Sequence, residues 1–361
     1  MVSAKTKING ENIGINRTYS YDVLRIFACF MVIVNHTNSP IFMNYFPQMS
    51  GQLSLVLFFI SKTAVPIFFM LSGALLLGKQ DTYRIAYGKR ALRIFLDILI
   101  FSFVAFCVSN QGLNAFSFNT IQSMIGKPII TPYWYLYSYL AIMLMLPFLQ
   151  KMVQAFKQKD FLILLGVLFF LKVCIPFLTC FELFPTISTF FTRNLFSGEI
   201  FYFILGYFIT HYLLDWLQNN KRRRIAITVS IILFFAGIIF CWHRTGLEFY
   251  QNGKFFLRLD DAFNLPITIY SAAFFLSIIL IFQHIQFPAV IVKPLCIVSQ
   301  ATFGVYLIHN IGISLTQPIL QFLCANMNDW FAVIIIDIMI FICCTIVVAI
   351  LRKIPLIKIL L

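Results

Sequence analysis

Charge is what this sequence has least of. Only 11% of its 361 residues are Asp, Glu, Lys or Arg, and 13 acids stand against 27 bases. Soluble domains carry roughly 25% charged residues, so a chain that is 60% hydrophobic with 43 Phe is excluded from that class. Metal-binding cysteine patterns are missing too. The nine cysteines are scattered, mostly inside apolar runs, with no Cys-x-x-Cys pair and no His spacing suited to zinc, so no metal is expected. Cys174 and Cys180 could approach each other near a helix end. There is no internal repeat, no low-complexity tract and no soluble appendage, which leaves one membrane domain to carry the function. Residues 1–19 contain no apolar core followed by small residues, so they read as a polar tail rather than a signal peptide.

What is present is a series of apolar segments long enough to span a bilayer. They fall at about 20–38, 52–78, 94–110, 132–150, 161–178, 196–216, 224–242, 263–283, 295–315 and 331–351. The expected fold is therefore an all-α integral membrane protein, about ten transmembrane helices in one bundle. Its divisions are the tail 1–19, the membrane domain 20–351 and a short basic tail 352–361. Nineteen of the 27 Lys and Arg fall on alternate loops that include the N-terminus, five on the others and three within spans. Basic residues collect on the cytoplasmic side, so both termini should be cytoplasmic. The net charge of +14 then needs no nucleic acid; it is mostly an orientation signal and an attraction to membrane lipid.

The chain is organised around Tyr21 to Thr37, YDVLRIFACFMVIVNHT. Arg25 and His36 lie eleven positions apart, which brings them to nearly the same side of a helix and about 16 Å apart along it. Asp22 and Cys29 share that side, so a polar stripe runs through an otherwise apolar helix. Asp22 and Arg25 could be an i,i+3 pair that snorkels to the interface, or Arg25 could face a cavity and meet a phosphorylated ligand. His36 reads either as a hydrogen-bonded packing residue or as a base. A second histidine, His309 in SQATFGVYLIHN, falls at a similar depth by helical rise, with Tyr306 and Asn310 beside it. Two histidines at one level suggest a shared cavity; whether their helices touch is not written in the sequence.

Other polar positions admit two readings each. In SKTAVPIFFMLSGALLLG, Pro66 favours a kink, Ser72-Gly73 allows close helix approach or ligand contact, and Lys62 snorkels or lines water. In YGKRALRIF, Lys89, Arg90 and Arg93 fit the positive-inside bias or a nucleotide phosphate, with Tyr83 and Tyr87 near enough for its ring. In TPYWYLYSY, Trp134 and Tyr135 suit an aromatic belt or the face of a sugar. Arg193 and Glu199 precede YFILGYF, where Gly206 reads as a packing glycine. The stretch 243–261, with Glu248, Asp260 and Asp261, reads as an outer loop or lid.

Taken together, Asp22-x-x-Arg25 with His36, AVPIFFMLSG, YGKRALR, PYWYLY, YFILGY and FGVYLIH occur in the order seen in the acyltransferase-3 membrane O-acyltransferases of bacteria. The chain resembles that family over nearly its whole length, most of all the branch that includes the O-acetyltransferase of enterobacterial common antigen. The resemblance implies a multi-pass protein of the bacterial plasma membrane that moves an acyl group, usually acetyl, from cytoplasmic acyl-CoA to a glycan hydroxyl. By position it makes His36 the catalytic histidine and Arg25 its partner, with Tyr306 and His309 in the ninth-span motif. Lys89, Arg90, Arg93 and Ser72 fall to acyl-CoA, and Trp134, Tyr135 and Glu199 to the acceptor. No cofactor is expected to stay bound; acetyl-CoA is a co-substrate. A glycan or glycolipid is the partner, and a homo-oligomer is compatible. The alternative is a transporter or flippase of a lipid-linked glycan, against which the missing repeat counts.

Overall fold

The computed structural model describes residues 18–109, 117–185, 188, 196–283, 285 and 287–360, together with the backbone of 7–8 and 11–12. Apart from a two-residue antiparallel pair, Lys7–Ile8 with Glu11–Asn12, the described chain is helical. Each of the ten expected spans lies on a helix. Among the described residues, eight helices are long and apolar enough to cross a membrane, or nine if one bent pair counts as a span. The remaining expected span, 196–216, is helical from Gly198 to Trp216 but is diluted by Glu199, His211 and Asp215. Arg193 lies outside the described residues.

The bent pair is α1 (Tyr19–Thr37) and α2 (Ser39–Tyr45), which meet at 43°. Asn38 occupies the corner, and Pro40, with no backbone N–H to give, suits the first turn of α2. The next hairpin span, α3 (Met49–Ser61) and α4 (Ala64–Leu76), is interrupted at Lys62–Thr63, just upstream of Pro66. α5 (Tyr83–Val108) begins with a π-helical turn at Ala86–Ala91. After the short α6 (Phe118–Gly126) come α7 (Trp134–Ala155), α8 (Gln158–Cys180) and α9 (Gly198–Phe208), the last continued helically to Trp216. α10 (Asn220–Asn252), α11 (Leu265–Phe282), α12 (Ala289–Asn326), α13 (Asp329–Leu351) and the short α14 (Pro355–Leu360) complete the chain.

Two helices overrun their expected limits by most: α12, Ala289–Asn326 against 295–315, and α10. Residues 243–252, read from sequence as part of an outer loop, continue α10 as helix. Nothing there breaks a helix, Arg244 pairs with Glu248 at i,i+4, and the stop comes only at Gly253, whose φ of 68° gives the left-handed cap that glycine adopts without strain. At 33 residues, α10 is about 50 Å long and must project beyond a hydrocarbon core of about 30 Å.

The span α3–α4 is the most central, 61% buried, whereas α10 is 17% buried and lies at the periphery. α4 crosses α9 in backbone contact. A Cβ on Gly73 would overlap the Phe203 carbonyl, and one on Gly206 would overlap that of Met70. In a membrane, where apolar side chains gain nothing by leaving lipid, such close approach is what holds helices together. The two glycines read separately from sequence are thus partners in one crossing.

Candidate active site

The polar stripe of α1 faces α12, and the two helices run parallel through three successive contacts. Buried Asp22 accepts a hydrogen bond from Ser299 Oγ at 2.5 Å, Cys29 Sγ reaches the Thr302 carbonyl at 3.3 Å, and His36 stacks on His309. The imidazole centroids are 5.5 Å apart with planes 29° from parallel. His309 is fully buried, and its Nδ1 lies 2.6 Å from the Tyr306 carbonyl. A carbonyl only accepts, so Nδ1 carries the proton. That leaves Nε2 of neutral His309 as a bare acceptor, and it has no hydrogen-bond partner in the structure.

One turn before the histidines lies the end of a cavity of about 560 Å³. Arg25, Lys89, Arg90 and Arg93 stand at its mouth, the apolar face of α4 with Ser72 along one wall, and Tyr135, Tyr139 and Tyr306 at its inner end. The π-helical turn of α5 widens the helix where Lys89 and Arg90 must reach the same opening as Arg93, a distortion common at functional sites. Tyr135 is packed edge-on against Tyr306 at 5.5 Å and stacked on Tyr139 at 5.7 Å. Ser72 lies against both the Tyr135 and Tyr139 hydroxyls.

Three of the four cations at the mouth, Arg25, Arg90 and Arg93, are already engaged. Arg90 grips Asp81 with two hydrogen bonds, Nε to Oδ2 at 2.9 Å and a terminal nitrogen to Oδ1 at 3.1 Å. Gln150 of α7 fixes that carboxylate, donating to Oδ2 at 3.0 Å and to the Leu76 carbonyl at 2.9 Å. Burial raises the Asp81 carboxyl, but the bonds from Arg90 and Gln150 and the charges of Arg90 and Lys79 prevail and hold it below the ordinary carboxylate range. Arg93 donates to the Leu360 carbonyl at 3.0 Å and lies over the Phe303 ring. Arg25 is 3.7 Å from Asp22, the i,i+3 pair read from sequence, and still lines the cavity. Lys89 is exposed at the opening.

Not every sequence-derived candidate comes to this place. Trp134 is 36% exposed and does not line the cavity, and Glu199 accepts from Ser138 Oγ at 3.1 Å away from the lining. Tyr83 and Tyr87 stack on each other outside it, with Lys151 over Tyr83. Cys174 and Cys180 are both free thiols. Lys62, at the break between α3 and α4, lies over the Phe58 ring and interacts electrostatically with His36, Asp260 and Asp261. Burial pushes the Asp260 carboxyl up, and the Lys62 charge only partly offsets this.

Several contributors escaped the sequence reading. Tyr133 donates to the Leu307 carbonyl at 2.6 Å while Tyr306 donates to that of Pro132, so the PYWYLY and FGVYLIH motifs clasp each other reciprocally. Asp81 and Gln150 set the position of Arg90, and buried Asp337 of α13 receives Thr37 Oγ1 at 2.7 Å and Asn38 Nδ2 at 3.3 Å beside His36. A lone acid in so apolar a span was a usable signal, because an intramembrane charge is costly unless it has work.

Fold and cavity define a multi-pass membrane protein with a largely apolar chamber that opens between cationic side chains and ends one turn short of paired histidines. The chain belongs to the acyltransferase-3 family, whose acyltransferase domain matches residues 18–351. It is accordingly a membrane acyltransferase. No curated protein and no solved structure matches it.

Proposed function

We propose that the protein transfers an acyl group, acetyl in the simplest case, from cytoplasmic acyl-CoA to a hydroxyl of a cell-surface or lipid-linked glycan, as in the enterobacterial common antigen branch of its family. The observation that carries this reading is the cavity, cationic at its mouth and leading through tyrosines to one turn short of the His36–His309 stack. Coenzyme A has an anionic nucleotide head and a long thin thioester arm, so the head suits Arg25, Lys89, Arg90 and Arg93 and the arm suits the apolar channel along α4. The mouth then faces the cytoplasm, with both termini on that side.

In the step itself, His36 accepts the proton as the sugar oxygen bonds to the thioester carbonyl carbon. The carbon–sulfur bond then breaks, and the proton passes to the departing thiolate. His309, itself held by the Tyr306 carbonyl, positions His36 by ring stacking. The Tyr306 hydroxyl proton is held by Pro132, so Tyr306 serves as wall and clasp rather than as the oxyanion donor unless that bond opens. Lys62, whose charge acts on His36 from the break between α3 and α4, is the nearer cation to draw on for oxyanion stabilisation.

The test is acetyl-CoA and free CoA binding to purified protein, alongside transfer of labelled acetyl to membrane glycan. Binding that survives His36→Ala while transfer is lost supports the reading. Folded wild type that binds no CoA yet moves unmodified glycan across vesicles would make it a flippase.

A further inference from the structure

A second hollow of about 450 Å³ lies on the side of the bundle away from the acyl-transfer chamber, between α8, the Gly198–Trp216 helix, α10 and α11. Its lining is almost wholly hydrocarbon. Of the two hydroxyl-bearing residues there, Thr268 is taken by Tyr202 at 2.8 Å and Ser230 is buried. Apart from the Trp216 indole at one end, the lining offers almost nothing polar to a sugar or nucleotide, so the occupant is apolar along most of its length.

The shape gives the length of that occupant. On the Gly198–Trp216 helix, Phe201, Leu205, Phe208, Ile209, Leu213 and Trp216 line the hollow along one face. Fifteen positions separate Phe201 from Trp216, about 22 Å of helical rise. That is room for one extended hydrocarbon chain entering from one face of a core about 30 Å thick.

The ends of the groove differ. At one end, Trp216 lines it and Arg222 stacks on that indole with its guanidinium carbon 4.8 Å from the ring. Lys221, Arg222 and Arg224 are all exposed there, at the start of α10, whose first N–H groups are capped by Asn219. This is also the side on which the acyl-transfer chamber opens. A Cβ on Gly78, just before Asp81, would touch His211 on the turn before Trp216. A cationic rim at one end and an apolar slot long enough for one extended chain together match a phosphate with a fatty chain attached.

We infer that this groove binds one anionic glycerophospholipid, its acyl chain lying between the Gly198–Trp216 helix and α10 and its phosphate meeting Lys221, Arg222 and Arg224. The lipid belongs to the leaflet of the chamber mouth. It braces the outer face of the helix whose inner face packs on α4, so it supports the chamber wall without entering it. The inference is independent of the acyl-transfer chemistry.

The protein is embedded in discs of equal phosphatidylglycerol and phosphatidylcholine with matched chains, then released and weighed intact by native mass spectrometry. Wild type should retain one phosphatidylglycerol with about tenfold preference. Val229 is exposed on the groove, so Val229→Trp fills it without disturbing the core, and retention should fall about tenfold. Lys221→Gln with Arg224→Gln should keep a retained lipid but abolish the headgroup preference. On wild type alone, phosphatidylglycerol carrying a photoreactive acyl chain should label peptides from 198–233 above all others. Equal retention of the two lipids by wild type, unchanged retention in Val229→Trp, or labelling spread evenly over the lipid-facing helices would each overturn the proposal.

Discussion

His36 and His309 stack ring on ring, 5.5 Å apart, at the point where α1 and α12 carry their polar stripes past the end of the cavity. His309 is locked by the Tyr306 carbonyl, whereas His36 makes no hydrogen bond among the described residues. This asymmetry assigns unequal work. His36→Ala should lower acyl transfer by about 10²–10⁴-fold, the usual range for a general base, with acyl-CoA affinity within twofold of wild type. His309→Ala should lower turnover less. If His309→Ala proves the more damaging in single-turnover measurements, the base is His309 and His36 orients it.

Arg90 is held by Asp81 in a two-point grip that any phosphate ligand must share. Removing Asp81 frees the guanidinium but lets it wander, so Asp81→Ala should raise KM for acyl-CoA about three- to tenfold with kcat nearly unchanged, the mark of lost ground-state binding. Loss of bonds to a charged partner should also cost about 2 kcal/mol of stability, read as a fall in Tm in detergent.

The acid side of that pair fixes its pH behaviour. Asp81 is depressed in the folded protein, so its contribution is complete above the ordinary aspartate value and is lost as pH falls through the lower folded value. The Tm difference between wild type and Asp81→Asn should therefore be constant from pH 5 to 8. It should shrink only below about pH 4. A difference that fades near pH 6 would mean the grip seen here is not the one that stabilises the protein.

Gly73 and Gly206 meet the backbone of the opposite helix, where no side-chain rotation can make room for a methyl group. Gly73→Ala and Gly206→Ala should each cost about 1–3 kcal/mol, as overpacking does, and the double variant should cost less than the sum because the first substitution already parts the helices. Additive losses in Tm would show that the two sites do not share one crossing.

Asp337, in the first half of α13, ties that helix to Thr37 and Asn38, next to His36 in the chain. Asp337→Ala leaves Thr37 and Asn38 only their longer bonds to the Ile33 and Val34 carbonyls and should cost about 1–2 kcal/mol together with a loss of turnover. Asp337→Asn keeps one acceptor oxygen and should recover part of both. Acyl-CoA affinity should not change in either, because the cavity lies on the other side of the histidines.

The sequence by itself determined that this is a helical membrane protein, where its helices fall, and that polar side chains share one face of α1. Each of these is a local property: apolar run length, a 3.6-residue period and charge excluded from hydrocarbon. The ends of α10 were misjudged because helix continues wherever no breaker intervenes, inside the membrane or beyond it. The ordered motifs gave the family, and His36, His309, Arg25 and Tyr306 were legible as candidates. Only the tertiary structure decided which of them meet. Helix adjacency depends on side-chain and backbone fit between segments hundreds of residues apart, here Gly73 against Phe203 and His36 against His309. That same packing turned Trp134 and Glu199 away from the cavity while bringing Asp81, Gln150 and Asp337 to the parts that hold its walls.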